Sequence, residues 1–227
     1  MEAVPLDVAI DADLAGRVRL GILTLHGVAV QDADAALAAE VDAYCSDLKA
    51  RYGGGTSSEV PGAGDARALY KALGLDPTKT RPSNEALLRR ALKGEGLFRI
   101  NTLVDAMNLC SLRYQLPFGL YDLDQIRPPV RLRRGAAGEA YEGIRKGAVN
   151  VEGRPVLVDA QGPFGNPTSD SARRADSRAA TFSPLQSSSR DTVCLPSPAS
   201  TAPRLPHIPS IFALVMPLQY PHTRDSS

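Results

Sequence analysis

The chain has 227 residues, 43% hydrophobic and 22% charged, with a formal net charge of +1. That composition describes a globular body large enough to hold a core without disulfides or metal, and it excludes a disordered chain or a short disulfide scaffold. Three scattered cysteines, an acidic N-terminus and no apolar run longer than 211–216 fit a reducing cytoplasmic setting, with no secretion signal, membrane span or metal site expected.

The near-neutral total conceals an asymmetry. Residues 1–65 carry 4 basic and 11 acidic side chains, residues 67–99 carry 8 and 3, and residues 127–146 carry 6 and 2. Two basic blocks suit either a positive face for a polyanion or ordinary solvated helix faces and strand ends.

In chain order, residues 4–10 alternate as a strand. Residues 18–30 are apolar and β-branched, which predicts a buried strand kinked near Gly27. An Ala-rich helix is expected over 32–51, stopped by glycines 53–55. A short helix follows through Leu73 and ends at Gly74. Ser83 reads as the N-cap of NEALLRRALK, closed by Gly94. A central helix is expected over 100–114, broken by Pro117 and Gly119. Strands then follow at PPVRLR, at EAYEGI, and as a hairpin about Glu152 and Gly153. The class expected is α+β, a mixed or antiparallel sheet packed with several helices. From 183 to 227 there are nine Ser and eight Pro but no Lys or Glu. This predicts a disordered tail behind a body spanning 1–182, with at most an edge strand at IFALVM. Such a tail reads like sequence that never evolved to pack, as a shifted reading frame would produce.

On the central helix Asn101, Asp105 and Asn108 form a polar stripe beside an apolar one. They serve either as caps bonding nearby backbone or as the polar wall of a small pocket. The stretch GPFGNPTSDS is either an anion nest of backbone N–H groups with the Thr168 and Ser169 hydroxyls, or a tight structural turn. Asp122 and Asp124 read as turn carboxylates, and Cys110 and His26 as core residues. Arg81, Arg89, Arg90, Lys93, Arg99, Arg131, Arg133 and Arg134 are the candidate RNA contacts, of a kind that positions phosphate without reading bases.

Three stretches stand out together: DPTKTRPSNEALLRRALKG (76–94), INTLVDAMNLCSLRYQLPFGLYDLD (100–124) and GRPVLVDAQGPFGNPTSDSAR (153–173). The pattern Asn101-x-x-Val104-Asp105-x-x-Asn108, then Leu116-Pro117, Tyr121 and Asp122-x-Asp124, resembles the tRNA-binding and editing module of the phenylalanyl-tRNA synthetase β subunit. That module comprises the third and fourth domains of the subunit and also occurs as a free-standing bacterial protein. The resemblance covers about residues 5–180. It implies a tRNA-binding protein with an amino-acid-sized pocket formed by Asn101, Asp105, Asn108, Tyr121, Asn166, Thr168, Ser169 and Asp170. The implied partners are tRNA or another RNA, and a free or tRNA-linked amino acid; no cofactor is implied. Two departures stand against an editing hydrolase. Gly119 replaces the family's histidine, and its loop glutamate would fall near Asn166 or Pro167. The family's fold also continues past the loop with an apolar strand, so a Ser/Pro tail there would leave a neighbouring strand edge exposed.

Overall fold

The structure is a computed structural model that describes residues 6–144, 147–172 and, as backbone only, 207–215. It is α+β. Among the described residues ten strands form three sheets, and four α-helices pack with them.

The first two strands are the short β1 (Val8–Ile10) and the nine-residue β2 (Gly21–Ala29). Helix α1 (Ala35–Tyr52) starts later than the sequence suggests, because Asp34 caps it by accepting from the Leu37 N–H at 2.7 Å. Helix α2 is Asp65–Ala72, and α3 is Ser83–Lys93, ended by Gly94 in the left-handed region at φ 77°. Helix α4 (Thr102–Tyr114) begins at Asn101, whose side chain accepts from Val104 N–H. Strand β3 (Phe118–Asp122) follows directly, where the sequence signals only a helix break. The rest are β4 (Val130–Arg134), β5 (Ala140–Gly143), β6 (Gly147–Asn150), β7 (Pro155–Asp159), β8 (Gly162–Asn166), β9 (Ser169–Asp170) and β10 (His207–Val215).

The largest sheet has the order β1-β4-β7-β8-β9 and is mixed, since β1 runs parallel to β4 and the other pairs are antiparallel. The hairpin expected about Glu152 and Gly153 does not form. Strand β6 pairs with β5, while β7 pairs with β4 and β8, so the reversals lie on either side of the predicted turn. Alternation identified these strands but carries no information about which neighbour each takes.

Strand β10 corrects the edge position expected for IFALVM. It lies between β2 and β3, antiparallel to both, in the order β2-β10-β3. Pro209 argued against a central strand, yet the stretch paired on both sides is Ile211–Val215, which excludes that proline. The remainder of the expected tail lies outside the described residues.

Four apolar clusters hold these layers. Leu14, Leu69, Tyr121, Leu132, Leu157 and Phe164 pack in the one beneath the large sheet. Val41, Leu48, Leu88, Leu109 and Leu112 join α1, α3 and α4. Val30, Val104 and Leu120 seat α4 on the three-stranded sheet. Tyr141, Val151 and Val156 anchor the β5–β6 hairpin. Strand β2 is less buried than its composition predicts: Leu23 is 53% exposed, and His26, read as core, is exposed as well.

Candidate functional site

The site is built where α3, α4 and the end of the large sheet meet. Ser83, Ala86 and Leu87 of α3, Met107, Asn108 and Ser111 of α4, Phe118 of β3, and Asn166, Thr168, Ser169 and Asp170 around the β8–β9 turn line a cavity of about 250 Å³. This lies just below the range of about 300–1,000 Å³ usual for drug-sized ligands, and so matches a smaller molecule. One edge is apolar (Ala86, Leu87, Met107, Phe118) and the rest carries amides, hydroxyls and a carboxylate. A larger hollow of about 590 Å³ between the β5–β6 hairpin and β8 is lined by none of the ligand-pocket candidates.

The eight candidates divide into three groups. Asn108, Asn166, Thr168, Ser169 and Asp170 converge on the cavity. Asn101 and Asp105 do not. Asn101 Oδ1 accepts from Val104 N–H at 2.9 Å, and Asp105 Oδ1 from Ile100 N–H at 3.1 Å. Both are buried fixtures at the start of α4, and burial pushes the Asp105 carboxyl above the ordinary carboxylate range. The i, i+4, i+7 stripe is real, but α4 turns only its later part toward the sheet. Tyr121 stands behind the cavity. Its hydroxyl donates to Asp170 Oδ1, and its ring meets Phe164 edge-on at 5.1 Å. Burial first, and the Asp170 carboxylate second, hold the Tyr121 phenol well above its usual range, so it remains a donor.

Close approach to Tyr121 explains two glycines. A Cβ at Gly165 would stand 2.0 Å from Tyr121 Oη, and one at Gly119 would stand 2.5 Å away. Any side chain at 119 therefore requires the tyrosine to move.

The β8–β9 turn resolves the choice between nest and structural turn. Asn166 Oδ1 accepts from Thr168 N–H at 2.7 Å and from Ser169 N–H at 3.1 Å, so these amides already have an internal acceptor. Thr168 Oγ1 also bonds the buried Tyr70 hydroxyl at 3.0 Å, tying the turn to α2. Ser83 is the first residue of α3 rather than its cap. Pro82 holds the cap position with no side-chain bond, and Ser83 N–H donates to Pro167 O at 2.8 Å. Ser83, Ala86, Leu87, Met107, Ser111 and Phe118 are the lining residues that motif reading missed. Ser111 lies one turn beyond Asn108, and Leu87 one turn beyond Ser83, so helical spacing held the signal.

The RNA candidates are mostly engaged. Seven of the eight lie within ion-pair distance of a carboxylate. Arg81 pairs with Glu85, Arg90 and Lys93 with Glu95, and Arg99 with Asp42; Arg131, Arg133 and Arg134 pair with Asp11, Glu139 and Asp13. Arg89 is exposed and makes no ion pair among the described residues. Asp122 accepts from Asp124 N–H, the turn role expected. Cys110 is a half-buried free thiol. Among the described residues no three His, Cys, Asp or Glu group as a metal site would need, and no helix is long and apolar enough to cross a membrane.

Residues 65–168 match the B3/4 domain family. No curated protein matches the chain. A crystal structure of an N-terminal fragment of the phenylalanyl-tRNA synthetase β-subunit from Pyrococcus horikoshii is similar at 14% identity and a TM-score of 0.34, over 51% of this chain and 34% of that one. The chain thus spans about a third of the length of that fragment. The cavity walls contributed by α3, α4 and β8 fall within residues 65–168, the stretch similar to the B3/4 domain, a module found in the phenylalanyl-tRNA synthetase β subunit.

Proposed function

We propose that this synthetase-related domain is a binding module whose ligand is amino-acid-sized and sits in the cavity between α3, α4 and the β8–β9 turn. The observation that carries this reading is convergence: Asn108 from mid-chain and Asn166, Thr168, Ser169 and Asp170 from the late turn line the same 250 Å³ space. A wall of polar groups beside an apolar edge selects a ligand with both characters, because a ligand lacking the polar partner leaves those groups unpaired. Titration calorimetry with a panel of free amino acids tests it. Saturable binding by the wild-type protein, weakened about tenfold or more by Asn108→Ala, is expected. No heat across the panel overturns the reading.

A second reading, in which the amino acid arrives attached to tRNA, is favoured by Arg89. It follows Ala86 of the cavity wall by three residues on α3, so the two share a helix face. A cation on that face supplies a contact for a phosphate of an attached acceptor end. Filter binding of total tRNA at low salt tests it, with retention lost in Arg89→Glu as the expected result; retention unchanged in that variant removes the support.

A further inference from the structure

We infer that the outer edge of β2 pairs with the β2 of a second copy of this chain, antiparallel about a two-fold axis. Strand β2 ends the β2-β10-β3 sheet, and among the described residues β10 is the one strand beside it. An edge strand offers its outward backbone N–H and C=O groups as a template for another strand. The other sheet edges among the described residues are guarded. Strands β1, β5, β6 and β9 have three, four, four and two residues, and the middle three of the five in β3 are buried. Short or covered edges resist edge-to-edge pairing. Strand β2 is neither, since it is nine residues long and Ile22, Leu23, His26, Gly27 and Ala29 are exposed. It also lacks the charges and prolines that blunt an edge: residues 20–31 contain no Lys, Arg, Asp, Glu or Pro. Ile22 and Leu23 are two of the four large apolar side chains exposed among the described residues. The edge stands apart from the cavity, which β2 does not line.

The flanks of the strand identify its occupant. Arg17 and Arg19 precede β2, Asp32 and Asp34 follow it, and all four are exposed. Arg19 and Asp32 make no ion pair among the described residues. A second β2 laid antiparallel brings the basic end of each strand to the acidic end of the other, twice by symmetry, whereas a parallel one sets like charges together. A strand apolar along its length and oppositely charged at its two ends is complementary to itself in reverse. A contact of this kind closes on two copies, so the product is a dimer and not a fibre.

Sedimentation velocity on the full chain, from about 5 to 500 μM, reads the association. One strand edge makes a small interface, so a reversible dimer in the upper part of that range is expected. Leu23→Lys brings a charge to the junction from each copy and should weaken the dimer by about tenfold or more. Arg19→Asp and Asp32→Arg each turn two attractions into two repulsions, and each should weaken it by about threefold or more. The double variant restores opposite signs and should recover the wild-type association. That recovery also separates the charge effect from a folding defect in either single variant. A monomer throughout the range overturns the inference. So does a dimer indifferent to Leu23→Lys, assembly beyond two copies, or a double variant that associates no better than the single ones.

Discussion

At the scale of single residues, Asn101 separates structure from ligand recognition. Its oxygen caps α4 and it does not line the cavity. Asn101→Ala should therefore cost about 1 kcal/mol of stability in urea unfolding. Ligand affinity should stay within a factor of two or so, because the residue lies outside the cavity. A large affinity loss at unchanged stability would return Asn101 to the binding wall. The Arg133–Glu139 pair gives a pH signature. Glu139 accepts from both guanidinium nitrogens at 2.6 and 2.7 Å and from Ala136 N–H at 2.8 Å. These bonds, the one from Arg133 foremost, hold its carboxyl below the usual glutamate range. A lowered folded-state pKa means stability that is present above the unfolded value and lost as pH falls through the folded one. Glu139→Gln should thus cost about 1 kcal/mol near neutrality, and the gap from wild type should close progressively below about pH 4. A constant gap across that range would contradict the assignment. Gly165 tests the packing: Gly165→Ala drives a Cβ toward Tyr121 Oη and should destabilise by about 1–3 kcal/mol, read as a lower melting temperature. An unchanged melting temperature would show that Tyr121 is not held there.

At the scale of elements, the sequence was most informative where periodicity and caps coincide. Helices α1, α3 and α4 could be read from apolar spacing and from Gly94 or Asn101 at their ends. Strand pairing was not legible. The Glu152–Gly153 turn lies between two well-marked strands that belong to different sheets, because pairing depends on long-range burial rather than on local alternation. β3 was hidden because Pro117 and Gly119 read as breakers, while its fit rests on Leu120 and Tyr121 being buried against α4 and Phe164. β10 was hidden by the surrounding Ser and Pro composition. Its pairing predicts that the amides of Phe212, Ala213 and Leu214 exchange slowly with deuterated solvent, since both flanks of that stretch are bonded. Exchange at the rate of a free peptide would remove β10 from the sheet.

At the scale of the whole molecule, charge blocks in the sequence did not become a free positive face. The acidic N-terminal third supplies the Asp11, Asp13 and Asp42 partners for Arg131, Arg134 and Arg99, so separate blocks neutralise one another across the fold. Sequence counting registers charges but not who faces them. Any RNA affinity should accordingly stay in the weak, non-specific range of about 10⁻⁴–10⁻⁶ M at physiological salt, measured by filter binding, and a salt-tolerant nanomolar complex would contradict this. The cavity was partly legible: the late turn and Asn108 were found by motif, whereas the α3 wall was not, because Ser83 reads as a cap and only the Pro167 contact shows it to be a first-turn residue. The most direct measurement of the central claim is a ¹⁵N-labelled titration with L-leucine and L-phenylalanine. The account predicts amide shifts concentrated at 83–87, 107–111 and 166–170, with little change on α1 or β4; shifts spread over the basic surface, or none at saturating ligand, would contradict it.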